Sequence, residues 1–142
     1  MKYVVYIILL SLTAGCAIKN TNESSSKNDE SFEDFFKEFG SSEKFQASRI
    51  KFPLKLSYYN EYEEDSLTVS EIKAEDWKYI DFRKDSLAAT KKEDAYNIEV
   101  IKNSTDAVEY LRKGIDNGIS ISYYFEKEKA KWFLVKIVDR SN

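Results

Sequence analysis

Ser31-Phe32-Glu33-Asp34-Phe35-Phe36-Lys37-Glu38-Phe39-Gly40 and, ten residues further on, Ile50-Lys51-Phe52-Pro53-Leu54-Lys55-Leu56 space their apolar residues at two different periods. In the first stretch Phe32, Phe35, Phe36 and Phe39 fall at i, i+3, i+4 and i+7, which places them on one face of an α-helix. Ser31 is suited to the N-cap, Glu33 and Asp34 fill the first turn, and Gly40 can close the end. In the second stretch Ile50, Phe52, Leu54 and Leu56 alternate with Lys51, Pro53 and Lys55, the pattern of a half-buried strand. Pro53 has no N–H to donate, which confines the strand to an edge or Pro53 to a position left unpaired. A short second helix, from Ser42 or Glu43 through Ala47 with Phe45 inward, fits between them.

The rest of the chain reads mainly as strands. Residues 66–70 suit a short return strand after a tyrosine-rich turn at 58–65. Residues 74–80 form one or two helical turns or a connector that delivers Trp77 and Ile80 to the core. Residues 95–101 alternate, with Tyr96, Ile98 and Val100 on one face. Residues 105–113 are ambiguous: Thr105 and Gly114 bracket them as helix caps would, yet Val108 and Tyr110 alternate as in a strand, and helix and strand both stay open. Asn117-Gly118 is a strong hairpin signal. Beyond it Ile119, Ile121, Tyr123 and Phe125 alternate against Ser120, Ser122 and Tyr124. A charged turn at 126–131 leads into Lys131-Trp132-Phe133-Leu134-Val135-Lys136-Ile137-Val138-Asp139, a closing strand. Helices first and antiparallel strands afterwards define an α+β fold.

Outward from this core, the N-terminus carries an address. Lys2 followed by an apolar run to Leu12 and then Thr13-Ala14-Gly15-Cys16 reads as a signal peptide, residues 1–15, ending in a bacterial lipobox with Cys16 as the lipidated residue. The alternative is an ordinary secretory signal cleaved elsewhere. Tyr3 to Ala14 is far short of the roughly 20 apolar residues that a spanning helix needs. Residues 16–30 are polar after Ile18 and lack aromatic residues, so they read as a disordered tether with a reach on the order of 20 Å. Residues 31–142 make one α+β domain. The lipobox leads us to expect a lipid-anchored protein of the cell envelope. Ala17 after the cysteine, rather than aspartate, is compatible with the outer membrane of a Gram-negative host, and the lack of an acidic cluster behind Cys16 favours the periplasmic face.

Composition removes several classes of chemistry. The chain has no histidine and one cysteine, so it can build neither a Ser-His-Asp triad nor an imidazole-thiolate zinc site. A disulfide within the domain is likewise unavailable. Loss of the signal removes Lys2 and no acid, taking the net charge from −3 to −4. Basic and acidic residues are interspersed, and nucleic acid is not an expected partner. No cofactor and no metal is expected. Ten tyrosines, nine phenylalanines and two tryptophans provide large buried surfaces in place of staples.

Phe45-Gln46 with Arg49-Ile50 and Phe52-Pro53-Leu54, the pair Asp76-Trp77 followed by Phe82, and Lys131-Trp132 with Leu134-Val135 ahead of Asp139 resemble an uncharacterised family of bacterial lipoproteins, domain of unknown function 4348. The resemblance spans most of residues 31–142. It implies a fold like nuclear transport factor two and the cystatins: a cone of curved antiparallel sheet with N-terminal helices packed on it. It implies no activity. Where the family has glycine before Lys-Trp, this chain has Ala130, which bears on turn geometry alone.

Such a cone can enclose an apolar pocket, and the fold does not choose among functions. The first expectation is a non-catalytic domain that binds a small apolar ligand or an envelope protein. Tyr58, Tyr59, Tyr96, Tyr123 and Trp77 are its ligand-binding candidates, with Tyr62, Tyr79 and Tyr124 as further rim residues; core and surface packing is the plainer role for them all. The second is an enzyme of isomerase or dehydratase type, with a pocket carboxylate as base and a tyrosine hydroxyl as oxyanion donor. Asp139 is the one acid that stands in an apolar context. The third is a structural subunit of an envelope complex, with the sheet face forming a homodimer. The membrane, through lipid on Cys16, is a partner in all three.

Overall fold

The computed structural model describes residues 29–59 and 66–142. The signal, the lipobox with Cys16, most of the tether and Tyr62 lie outside the described residues. The elements run α1 (Phe32–Phe39), α2 (Glu43–Ser48), β1 (Ile50–Tyr59), β2 (Leu67–Ile72), a 3₁₀ turn (Ala74–Asp76), a second 3₁₀ segment (Phe82–Thr90, here the strap), β3 (Tyr96–Ser104), β4 (Ala107–Gly114), β5 (Ser120–Glu128) and β6 (Lys131–Asp139).

The six strands form one curved sheet in the order β2-β1-β6-β5-β4-β3. The sheet is mixed, which corrects the expected antiparallel one: β1 runs parallel to β6, with Leu56 beside Ile137, while every other neighbouring pair is antiparallel. The correction also moves β1 off the edge. Pro53 meets the other condition instead: pairing with β6 is interrupted between Ile50 and Lys55 and pairing with β2 begins at Leu54, so no ladder bond is asked of it. The ambiguous segment is a strand, because Val108, Tyr110 and Arg112 all point to the face that the helices cover, where Val108 and Tyr110 are buried. Burying two large side chains at period two outweighs the weak helical caps.

Helix α1 is capped as its sequence predicts, with the Ser31 hydroxyl accepting from Asp34 N. Its phenylalanines lie on the sheet: Phe32 stacks edge-on against Trp132 at 5.1 Å, Phe39 against Phe125 at 5.3 Å, and Phe36 meets Tyr110 at 4.5 Å. Gly40 ends the helix in right-handed geometry. Its lack of a side chain serves space: a Cβ there would sit 3.0 Å from Phe82 Cβ. Gln46 of α2 is fully buried. Its Nε2 donates to Phe39 O and Ile80 O, both at 2.8 Å, and its Oε1 accepts from Ile80 N at 2.9 Å, tying α1, α2 and the stretch before the strap together. Glu30, just ahead of α1, forms a two-pronged pair with Arg49 and accepts from Trp132 N. The β5–β6 hairpin turns on Lys129 and Ala130, both at positive φ, 49° and 66°.

Candidate functional site

Two places on the helix-covered side of the sheet gather chemistry. The first is built by the strap. A 3₁₀ helix has three residues per turn, so Phe82, Asp85 and Ala88 fall on one face, and these three are its buried residues. Asp85 is carried under the sheet's inner face, where its side chain is 3% exposed. There Tyr96 of β3 donates to its Oδ1 at 2.6 Å, and Tyr110 of β4 donates to Oδ2 at 2.9 Å. Arg112, two residues along β4 from Tyr110 and therefore on the same face, donates to Oδ2 from Nε at 2.9 Å and pairs with it through Nη2 at 2.9 Å. The remaining arm, Nη1, donates to Tyr123 Oη at 2.9 Å. Three rings surround the guanidinium: Phe82 at 4.9 Å, Tyr123 at 5.1 Å and Tyr96 at 5.5 Å.

Electrostatics hold the three tyrosines and Arg112 in their protonated forms. Burial, and then the hydrogen bond to Asp85, push the Tyr96 hydroxyl up to about 12. Burial first, then the charge of Asp85, raise Tyr110 further, and burial raises Tyr123. Burial works against the charge on Arg112, but Tyr123, Asp85 and Tyr96 outweigh it and keep the guanidinium protonated. The result is a planar cation and two hydroxyls converging on one carboxylate, a geometry that charge-assisted hydrogen bonds favour.

The second place is a cleft of about 660 Å³ between α1 and β3, lined by Phe32, Glu33, Phe36, Lys37, Val100 and Lys102. β3 is an edge strand, and its residues 99–104 are all exposed. Phe32, Phe36 and Val100 give it an apolar floor, and Val100 is 50% exposed. Lys102 pairs with Glu33 across it at 3.1 Å. A smaller groove of about 310 Å³ shares Phe32, Glu33 and Lys102 and continues past Val108 to Lys127 and Trp132.

Of the candidates read from sequence, the structure brings Tyr96 and Tyr123 together, both buried and both in contact with Arg112. The others are elsewhere. Tyr58 pairs opposite Asp139 at the end of β1, and Tyr59 is exposed beside it. Trp77 packs on Phe52 at 6.3 Å, and among the described residues its Nε1 finds no hydrogen-bond partner. Tyr79 donates to Gly40 O, and Tyr124 lies on the opposite sheet face, donating to Glu109. Asp139 is half-buried and accepts from Ser141 N, so the enclosed carboxylate is Asp85 rather than Asp139. Asp85, Tyr110 and Arg112 were not singled out by the sequence; the one local signal was the three-residue spacing of Phe82, Asp85 and Ala88. Among the described residues no group of acidic or cysteine side chains could hold a metal ion, and no helix is long and apolar enough to cross a membrane.

A curved six-stranded mixed sheet with short helices on one face defines the class: an α+β fold of the NTF2-like and cystatin-like kind. Solved structures share it. An NTF2-like protein from Bacteroides fragilis is 24% identical with a TM-score of 0.59, the match covering 80% of this chain and 48% of that one, so the chain spans about half its length. A protein from Bacteroides uniformis is 23% identical at a TM-score of 0.57, over 77% of this chain and 76% of that one. A cystatin-like protein from Bacteroides caccae is 22% identical at 0.56, over 78% and 76%. A family model described only by a "-like" designation matches residues 30–140, and the chain belongs to that family. No protein of curated function matches it.

Proposed function

We propose that this is a cell-envelope lipoprotein, anchored through Cys16 to the outer membrane and facing the periplasm, whose cone-shaped domain is a non-catalytic binding module. The cleft between α1 and β3 is its ligand site. The observation that carries the reading is the apolar floor of Phe32, Phe36 and a half-exposed Val100 in a concavity of about 660 Å³, within the size of small-molecule sites. Lys37 at the rim, beside the Lys102–Glu33 pair, suits an amphiphilic ligand with an apolar body and a polar or anionic end. An envelope protein that inserts an apolar side chain there, and a second copy paired through the opposite sheet face, are the partners that this module would otherwise serve.

A binding role fits better than acid–base catalysis. A general base needs a carboxylate free to reach substrate, and Asp85 already accepts from Tyr96, Tyr110 and Arg112. The test is native mass spectrometry of the full chain isolated from producing cells. The reading predicts a retained small-molecule mass that Val100→Glu removes, since that change charges the floor without touching the buried core. Bare protein from the unaltered chain, or the same mass on both, contradicts it. Anchoring is tested separately: Cys16→Ser should leave the protein without acyl mass, and an acylated Cys16→Ser protein sinks that part.

A further inference from the structure

We propose that Tyr96, Tyr110 and Arg112 form a receptor for small organic carboxylates, and that Asp85 of the strap is its internal occupant. This site is separate from the α1–β3 cleft and stands without it. All the donors belong to the sheet, Tyr96 on β3 and Tyr110 and Arg112 on β4, whereas the acceptor arrives on a separate segment. The receptor holds its shape independently of that acceptor. Tyr123 accepts from Nη1, and the rings of Tyr96 and Tyr123 on the sheet flank the guanidinium, with Phe82 at the start of the strap beside them. A buried guanidinium requires an anion, because an unpaired charge in the interior is strongly destabilising. The anion need not come from residue 85.

The strap has the marks of a displaceable occupant rather than of a structural plug. Its polarity is inverted: Asp85 is 6% exposed while Leu87, two residues on, is 67% exposed. A segment serving only to fill space would turn the leucine in and the acid out. Its backbone is a nine-residue 3₁₀ helix, and such runs beyond three or four residues are uncommon because their hydrogen-bond geometry is poor. The bonds at its two ends are long, Lys84 N to Asp81 O at 3.3 Å and Lys91 N to Ala88 O at 3.4 Å. Past Phe82, the strap buries only Asp85 and Ala88, and residues 89–94 behind it are exposed. Residues 84–90 can therefore leave as a unit at the loss of the burial of Ala88, the ion pair of Asp85 with Arg112 and the hydrogen bonds from Tyr96 and Tyr110, and an incoming carboxylate would replace the ion pair and both hydrogen bonds. The walls that remain, Phe82, Tyr96, Tyr110 and Tyr123, favour a monocarboxylate with a flat apolar body.

Phenylacetate is the probe and phenylacetamide its neutral control, both applied to the full chain. In the unaltered protein, saturating phenylacetate should accelerate hydrogen exchange of the amides of residues 84–90 at least tenfold, and phenylacetamide should not. Unchanged exchange in those amides under phenylacetate overturns the proposal. Removing the internal competitor should tighten binding, since affinity is reduced by the fraction of molecules in which the site is closed. By calorimetry Asp85→Ala is expected to bind phenylacetate at least tenfold more tightly than the unaltered chain. Asp85→Asn, which preserves the side-chain shape, gives the same comparison if the alanine variant does not fold. Equal affinity in a folded variant and the unaltered chain, or equal binding of the amide and the acid, refutes it.

Discussion

Replacing Gln46 by methionine keeps the length and volume of the side chain and deletes its amide. Three backbone groups then lose their partners: Phe39 O, Ile80 O and Ile80 N, now held at 2.8, 2.8 and 2.9 Å. Gln46 has no exposed surface, so water cannot reach all three without opening the junction of α1, α2 and the segment ahead of the strap. Leaving a buried donor or acceptor unmatched costs about 1–3 kcal/mol each. Partial relaxation and the better burial of a thioether reduce the sum, and a net loss of about 3–4 kcal/mol is expected, high for a single substitution. For a domain whose whole stability is of order 5–15 kcal/mol, that loss is large. In urea unfolding followed by far-ultraviolet circular dichroism, with a slope of roughly 1–3 kcal/mol per molar, the midpoint should fall by roughly 2 M. A loss under about 1 kcal/mol at unchanged slope would mean that Gln46 does not hold these segments together.

Trp132→Ala removes a side chain that is 2% exposed, stacked on Phe32 and donating through Nε1 to Glu30 O at 3.1 Å; the same urea assay should show a loss of about 3–5 kcal/mol. Ala130→Gly relieves an L-residue held at φ 66° and should stabilise by about 0.5–1 kcal/mol, a sign opposite to that of most glycine substitutions. The alkaline limb is set by the tyrosines around Asp85. A hydroxyl raised in the folded state gives stability that is full below its unfolded value near 10 and lost as pH rises through the folded one, about 12 for Tyr96. Stability should therefore decline between pH 10 and 12, and Tyr96→Phe should flatten that decline; a decline identical in both chains would remove Tyr96 from the explanation.

Much of the fold was legible because it is written in local periodicity. The Phe32-Phe35-Phe36-Phe39 stripe and the alternations in β1, β5 and β6 each mark a buried face within one element, whereas in β3 only Tyr96 is buried and Val100, on the same face, is half-exposed. The pairing of β1 with β6 is not local: it joins the first strand to the last, and nothing within either strand marks its partner's direction. For β4, two readings competed because Thr105 and Gly114 imitate caps, and only the burial of Val108 and Tyr110 decides between them. The strap escaped notice because three buried residues in nine, one of them an acid, do not stand out from a polar loop. The site was legible to the same extent. Tyr96 and Tyr123 are visible as aromatics in strands, whereas Asp85 and Arg112 become informative only once folding has put one charge on the other.

The central claim is that the α1–β3 cleft binds ligand, and it is tested most directly by titrating the full chain with anilinonaphthalene sulfonate, an apolar anion, while following backbone amide chemical shifts. The account predicts saturable shifts gathered at Glu33, Phe36, Lys37, Val100 and Lys102. Shifts gathered instead around Tyr124 and Lys136 on the opposite sheet face, or no saturable shift anywhere, would contradict it.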